Sequence, residues 1–241
     1  ALASEAVLTA LDAYIRAGIT SSQDAGSDSA DDITAYQQAV KHGHLKLRTS
    51  MMIRENLLPH LVELGIEQGF GNHRLRVGPI KMFIDGSLIG RTAAVTQPFL
   101  DDPRQDNLRL MMMPKEQFED YVMQAHAAGY QIAVHAIGDR GIDWVLDAYE
   151  KALTAMPRRD HRHRIEHAVK VSDNQLNRMK QKGIVASFQL MGPPDWPAQT
   201  TFQTYISNTH PEWCLRWKDF DAAVAAGLRT TGSTDAPFND T

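Results

Sequence analysis

The sequence predicts an α/β chain built on parallel strands, either a (β/α) barrel short of one strand or an open doubly wound sheet. Three observations carry this. Apolar periodicity alternates between helical and extended repeats, giving seven strands, each preceded by a helix. Strands separated by helices pair in parallel, because a parallel crossover needs about a dozen residues. Several strands end in polar, chemically capable residues, and the C-terminal strand ends are where a barrel keeps its functional groups. No Gly-x-Gly-x-x-Gly follows an early strand, so a dinucleotide-binding fold has no support.

The elements follow in order. Leu8, Leu11 and Ile15 mark one helical face, and Gly18 is placed to end that helix. Residues 19–23 read as a short strand that runs into the polar stretch 24–32. Residues 33–43 read as a helix, 45–53 as a strand, 57–69 as a helix and 75–85 as a strand. Residues 86–113 show no clear period. Pro114 suits a first helical turn; Phe118, Val122 and Ala125 share a face, and Gly129 stops the helix. Residues 131–135 form a strand. Ile142, Val145, Leu146, Tyr149 and Leu153 make the most amphipathic helix of the chain. A strand at 164–169 precedes a helix opened by a Ser172/Gln175 capping box and stopped at Gly183. The strand 184–190, a Pro- and Trp-rich loop 191–218, a helix 219–226 and a last strand 228–232 complete the pattern.

Composition narrows the function. The 241 residues are 43% hydrophobic and 22% charged, as in an ordinary globular chain that buries a core. A net charge of −4 argues against a nucleic-acid surface. The lone Cys214 makes no internal disulfide, so a stapled secreted scaffold is excluded. No apolar run approaches the roughly 18 residues of a membrane span. Glu5, Asp12 and Arg16 interrupt any signal-peptide pattern. The expectation is a cytoplasmic protein. The chain does not start with Met and opens inside a helix, so both ends read as cut, and an omitted signal peptide stays open.

The strand ends hold the chemistry. One strand carries Lys81 and ends in Asp85-Gly86-Ser87; others end at His135, at His167 and at Asp235. Neutral imidazoles and carboxylates are the ligands that zinc and similar divalent ions take. A single strand-end histidine is more often a hydrogen-bonded core residue, but four such groups on four strand ends are hard to dismiss together.

These residues also carry a resemblance. The segment from Lys81 to Ala94, Lys-Met-Phe-Ile-Asp-Gly-Ser-Leu-Ile-Gly-Arg-Thr-Ala-Ala, resembles a signature of the amidohydrolase superfamily. The match is closest to amidohydrolase family 3, the branch with N-substituted formamide deformylase-like proteins. The segments 134–140, 163–167 and 232–237 are similar to that branch's further signatures, in the same order. The resemblance implies a distorted (β/α)8 TIM barrel holding one or two divalent ions, usually zinc. It implies that Lys81, His135, His167 and Asp235 are metal ligands, that Lys81 is carboxylated or neutral, and that Asp235 is the catalytic proton acceptor. Lys81 as a buried lysine paired with Asp85 or Asp235 is the structural alternative.

The family's strand-1 His-x-His pair should lie upstream of residue 1, and its flanking β domain and the helix after strand 8 are missing. Residues 1–241 therefore read as strands 2 to 8, one partial barrel domain from the middle of a larger enzyme. His161 and His163 cannot substitute for that pair. His163 lies four residues before His167, about 13 Å along a strand, too far for ligands of one ion. The pair belongs near the N-terminal rim, structural or on the surface. Metal is expected to bind this piece weakly or not at all, and the piece alone to be inactive.

Other candidates are weaker. Arg91 pairs with a substrate carboxylate or, preferentially, with Asp85. Trp196, with Trp213 and Trp217, roofs a substrate pocket or packs on the barrel. Asp139 and Arg140 hold a loop together. The run Met111–Met113 is packing, since Met is a weak zinc ligand. His42, His44, His60, His73, His126 and His210 are expected on the surface. The partner is a small-molecule substrate, with self-association or the rest of the polypeptide completing the sheet, because the strand edges left by a missing strand 1 invite pairing. Two functions compete: a metal-dependent hydrolase of non-peptide C–N bonds (amide, formamide or cyclic amide), and a non-catalytic or regulatory barrel with an incomplete metal site. A phosphate-binding barrel has no glycine-rich loop near the last strands to support it.

Overall fold

The computed structural model describes residues 2–88, 90–100, 110–189, 220–233 and 235. The elements are α1 (Leu2–Arg16), β1 (Ser21–Ser27), α2 (Ala30–Lys41), β2 (Arg48–Arg54), a 3-10 turn (Glu55–Leu57), α3 (Leu58–Glu63) and β3 (Leu75–Phe83). They continue with α4 (Lys115–Ala127), β4 (Ile132–Ala136), α5 (Asp139–Ala155), β5 (Arg164–His167), α6 (Asp173–Lys182), β6 (Val185–Gln189), α7 (Phe220–Ala225) and β7 (Thr230–Ser233). The seven strands lie in one sheet in sequential order, β1 to β7. Sequential order removes the doubly wound alternative, in which strand order reverses at a switch point. The architecture is the incomplete (β/α)8 barrel that the sequence predicts.

The chain divides into two compact units. The first comprises Ala1–Met82 with Gln124–Ala133. In it β2 pairs in parallel with β1 and β3, and Ile53 and Ile80 are fully buried register partners. Gly78 lies on β3 where an added Cβ would sit 2.5 Å from the Ser50 hydroxyl, so the close approach of β2 and β3 requires glycine. β1 departs from the expected strand at 19–23. It extends through Ser27, with sequence Ser-Ser-Gln-Asp-Ala-Gly-Ser and a bulge between Asp24 and Ser27. A strand this polar gives no apolar alternation to read; its backbone pairing with β2 and a Ser22–Thr49 hydroxyl contact hold it instead. α2 starts at Ala30, three residues before the expected 33, because Ser29 caps it by accepting from Asp32 N–H. α3 ends at Glu63, short of the expected 69.

The second unit comprises Phe83–Met123 with Val134–Asp240. Here β6 pairs in parallel with β5 and β7. α5 buries Ile142, Val145, Leu146 and Tyr149, as its pattern predicts. α6 opens on the Ser172/Gln175 capping box and closes at Gly183 in the left-handed conformation. The stretch after β3, without period in the sequence, is packed: Leu88, Ala93, Val95 and Phe99 form an apolar cluster with Ile137 and Val169. Its residues are buried by an irregular path, which leaves no repeat to detect.

Candidate metal centre

Asp85 organises one side of the site. It follows β3 and is fully buried. Its Oδ2 accepts from Ala94 N–H (2.9 Å) and Gly138 N–H (2.8 Å), and its Oδ1 from Ile137 N–H (3.0 Å). One carboxylate thus joins the loop after β3 to the turn between β4 and α5. Burial pushes the Asp85 carboxyl up to about 7, against the three N–H donors that pull it down. Gly138 completes the junction. A Cβ there would stand 2.0 Å from the Ala94 carbonyl oxygen. Asp139 adds a second tie, accepting from Thr96 N–H (2.9 Å) and pairing with Lys170 (2.8 Å), as expected of a loop-holding residue.

His135 and His167 converge at the ends of β4 and β5. Their ring centroids are 4.4 Å apart, in an edge-to-face arrangement at 68°. Phe83 also packs on His135, 5.1 Å away between ring centroids. His135 Nε2 lies 2.9 Å from the Gly86 carbonyl and 3.6 Å from Asp85 Oδ1. A carbonyl only accepts, so Nε2 carries the proton and Nδ1 the lone pair. His167 Nδ1 lies 2.9 Å from Gln189 Oε1. An amide oxygen also only accepts, so here Nδ1 carries the proton and Nε2 the lone pair. An imidazole whose far nitrogen donates to an acceptor is the form that binds a metal. The pair therefore fits a divalent ion. Among the described residues no group of three or more His, Cys, Asp and Glu side chains is gathered for a metal.

The other expected ligands lie on β3 and after β7. Lys81 is buried, and its Nζ donates to the Met82 carbonyl at 3.0 Å. Asp235 stands two residues beyond β7, partly exposed, with a left-handed φ of 56°. Five non-glycine residues among those described have left-handed φ: Arg91, Arg162, His167, Ala168 and Asp235. Three of these are site residues expected from the sequence. Such backbone costs about 1–3 kcal/mol per residue and collects at functional sites. Arg91 is partly buried, and its N–H donates to Leu88 C=O. Trp196, Trp213, Trp217 and His210 lie outside the described residues.

His161 and His163 form a second pair, 4.6 Å apart between ring centroids, and both are buried. Of the two placements open to them, the structure gives the structural one. His161 Nε2 donates to the Lys182 carbonyl (2.8 Å) and its Nδ1 accepts from His163 N–H (2.9 Å). His163 stacks on Tyr149 at 5.0 Å. His126, expected on the surface, is buried at 3% exposure on α4. It sits one position from Ala125 on the helix, close enough to the apolar face to be covered. His42, His44, His60 and His73 are exposed as expected.

Two groups escape the sequence. Gln189 closes β6, buried, and bridges His167 to Ser233, whose Oγ lies 3.4 Å from Gln189 Nε2. The signal is the same one that finds His135 and His167, a polar residue at a strand's end. Extending the strand to Leu190 hides it. On β2, Arg54 forms a two-bond fork with Glu55 (2.9 and 3.0 Å) and is the register partner of Lys81.

Comparison with known proteins shows the family. The chain is 35% identical over 159 residues to Protein LONG AFTER FAR-RED 3 of Arabidopsis thaliana, covering 66% of this chain and 27% of that protein. It is 31% identical over 116 residues to N-substituted formamide deformylase of Arthrobacter pascens, covering 47% of this chain and 20% of that protein. Among solved structures, an uncharacterized metal-dependent hydrolase from Pyrococcus furiosus superposes with a TM-score of 0.78 at 27% identity, over 98% of this chain and 47% of that one. The chain thus spans less than half the length of each of these relatives. Residues 3–241 match the amidohydrolase family. With that match across nearly its whole length and its paired histidines at adjacent strand ends, this chain belongs to the amidohydrolase family.

Proposed function

We propose that the protein is a metal-dependent hydrolase that cleaves a non-peptide C–N bond, in an amide, formamide or cyclic amide, with water as the nucleophile. The observation that carries this reading is the His135–His167 pair, two imidazoles 4.4 Å apart, each held through one nitrogen so that the other keeps its lone pair. Similarity to N-substituted formamide deformylase supports the C–N class.

His135, His167, Asp235 and Lys81 would hold one or two zinc ions, because imidazole and carboxylate are zinc's usual oxygen and nitrogen donors. Lys81 joins them only as a neutral amine or after carboxylation, since an ammonium has no lone pair. A bound divalent ion supplies a water of pKa about 7 and polarisation of the scissile carbonyl. Asp235 takes the proton of the attacking water and passes it to the leaving nitrogen. Arg91 binds a carboxylate of the small-molecule substrate or closes an ion pair beside it.

The test is hydrolysis of a panel of N-substituted formamides, amides and cyclic amides by the zinc-supplemented full-length protein. Turnover of at least one class is expected, with loss of at least about a hundredfold in Asp235→Asn, the size expected of a removed general base. No turnover across the panel by protein that retains zinc favours the non-catalytic or regulatory barrel.

A further inference from the structure

We propose that Gln189 is a positioning residue that sets the ring orientation and tautomer of His167; the inference deepens the metal-site reading above and rests on it. Three observations lead there. First, the chain at His167 and Ala168 leaves the strand with left-handed φ of 75° and 45°. The regular strand geometry that orients a side chain ends at that point, so a partner must fix the ring. Second, Gln189 supplies that partner. Its Oε1 lies 2.9 Å from His167 Nδ1 and its Nε2 lies 3.4 Å from Ser233 Oγ. Third, Gln189 is buried, and Gln189 and Ser233 are register partners on β6 and β7. A buried amide engaged at both ends cannot turn without breaking two hydrogen bonds.

The chemistry of the amide decides the tautomer. With Oε1 toward His167, the ring must donate from Nδ1, and Nε2 keeps the lone pair a metal needs. Turned over, the amide would donate to Nδ1 and drive the proton onto Nε2, closing the ring to metal. The Ser233 hydroxyl both donates and accepts, so it tolerates either orientation, and the state of His167 itself reports which one the protein adopts.

The experiment is nitrogen-15 NMR of the imidazole rings in the metal-free full-length protein, above pH 8, with His167 assigned from a His167→Asn spectrum. The wild type is expected to show the Nδ1–H tautomer. Gln189→Glu keeps it, since a carboxylate also accepts from Nδ1–H. Gln189→Met has similar length and no acceptor; it is expected to let Nε2–H accumulate and to weaken zinc binding at least tenfold in competition with a chelating dye. Wild type in the Nε2–H form overturns the proposal, and so does a folded Gln189→Met that keeps the wild-type tautomer. Should Gln189→Met fail to fold, the wild-type and Gln189→Glu spectra still decide, because Nε2–H in either refutes the assignment. A wild type with the Nδ1–H tautomer and no zinc affinity sinks the metal reading while leaving Gln189 as the group that fixes the ring.

Discussion

Two histidine pairs in the second unit are nearly equal in spacing and opposite in chemistry. His135 and His167 stand 4.4 Å apart, His161 and His163 4.6 Å. In the first pair each ring has one nitrogen on a fixed acceptor, Gly86 C=O or Gln189 Oε1, and the partner nitrogen is the unprotonated one. In the second pair His161 uses both nitrogens within the protein, on Lys182 C=O and His163 N–H. Ring proximity therefore does not identify a ligand pair. What identifies it is a tautomer fixed by an acceptor at the far nitrogen of each ring, together with a place at the C-terminal strand ends.

The largest expected effect comes from Asp85, which holds the loops on the His135 side. Asp85→Ala leaves three buried N–H donors unpaired. At about 1–3 kcal/mol each, a loss of roughly 4 kcal/mol or more is expected in denaturant unfolding, enough to threaten folding. Next is the structural histidine pair. His161→Ala removes a bridge between the Lys182 carbonyl and the His163 amide, and about 2–3 kcal/mol of stability with it, while metal affinity stays unchanged. His167→Ala is expected to do the reverse for metal, abolishing its binding, and to cost about 1–2 kcal/mol of stability, because the ring is partly exposed but its loss takes a donor from the buried Gln189 Oε1. Equal stability losses in both variants would erase the distinction between the pairs.

Asp85 also predicts a pH effect. Its carboxyl sits at about 7 in the folded chain and near the ordinary value of about 4 when unfolded. Between those values the folded state holds the extra proton, so stability falls as pH rises, by at most about 1.4 kcal/mol per pH unit. Unfolding measured from pH 4 to 7 should show this slope in the wild type and lose Asp85's share of it in Asp85→Asn. The smallest effect belongs to Ser172, the N-cap whose side chain accepts from Gln175 N–H at the start of the helix that ends at Lys182. Ser172→Ala should cost about 1 kcal/mol in thermal unfolding and leave metal binding intact.

The sequence made the alternation legible through its periodicity, and His135 and His167 legible as polar residues at strand ends; alternation alone left a doubly wound sheet open, so the sequential strand order, and with it the convergence of the two rings, rested on the family resemblance. β1 was illegible beyond Gln23, since Asp24, Gly26 and Ser27 are poor strand formers, and it is the pairing of Asp24 and Ser27 with β2, on either side of the bulge, that holds them. Asp85 could be seen as a strand terminus, but not as an acceptor of N–H groups from Ala94, Ile137 and Gly138, which only the folded loops bring to it. His126 misled because a helical position next to the apolar face is decided by packing, not by pattern. Gln189 was hidden by one residue of strand boundary.

The most direct test of the ligand pair is a cobalt(II) or zinc titration, by calorimetry, of the chain described here and of its His135→Ala, His167→Ala and His161→Ala variants. A His135–His167 ligand pair predicts weak, chelator-reversible binding in the unmodified chain and in His161→Ala, and none in either His135→Ala or His167→Ala. Metal held equally well by the His135 and His167 variants, or lost only with His161, would contradict it.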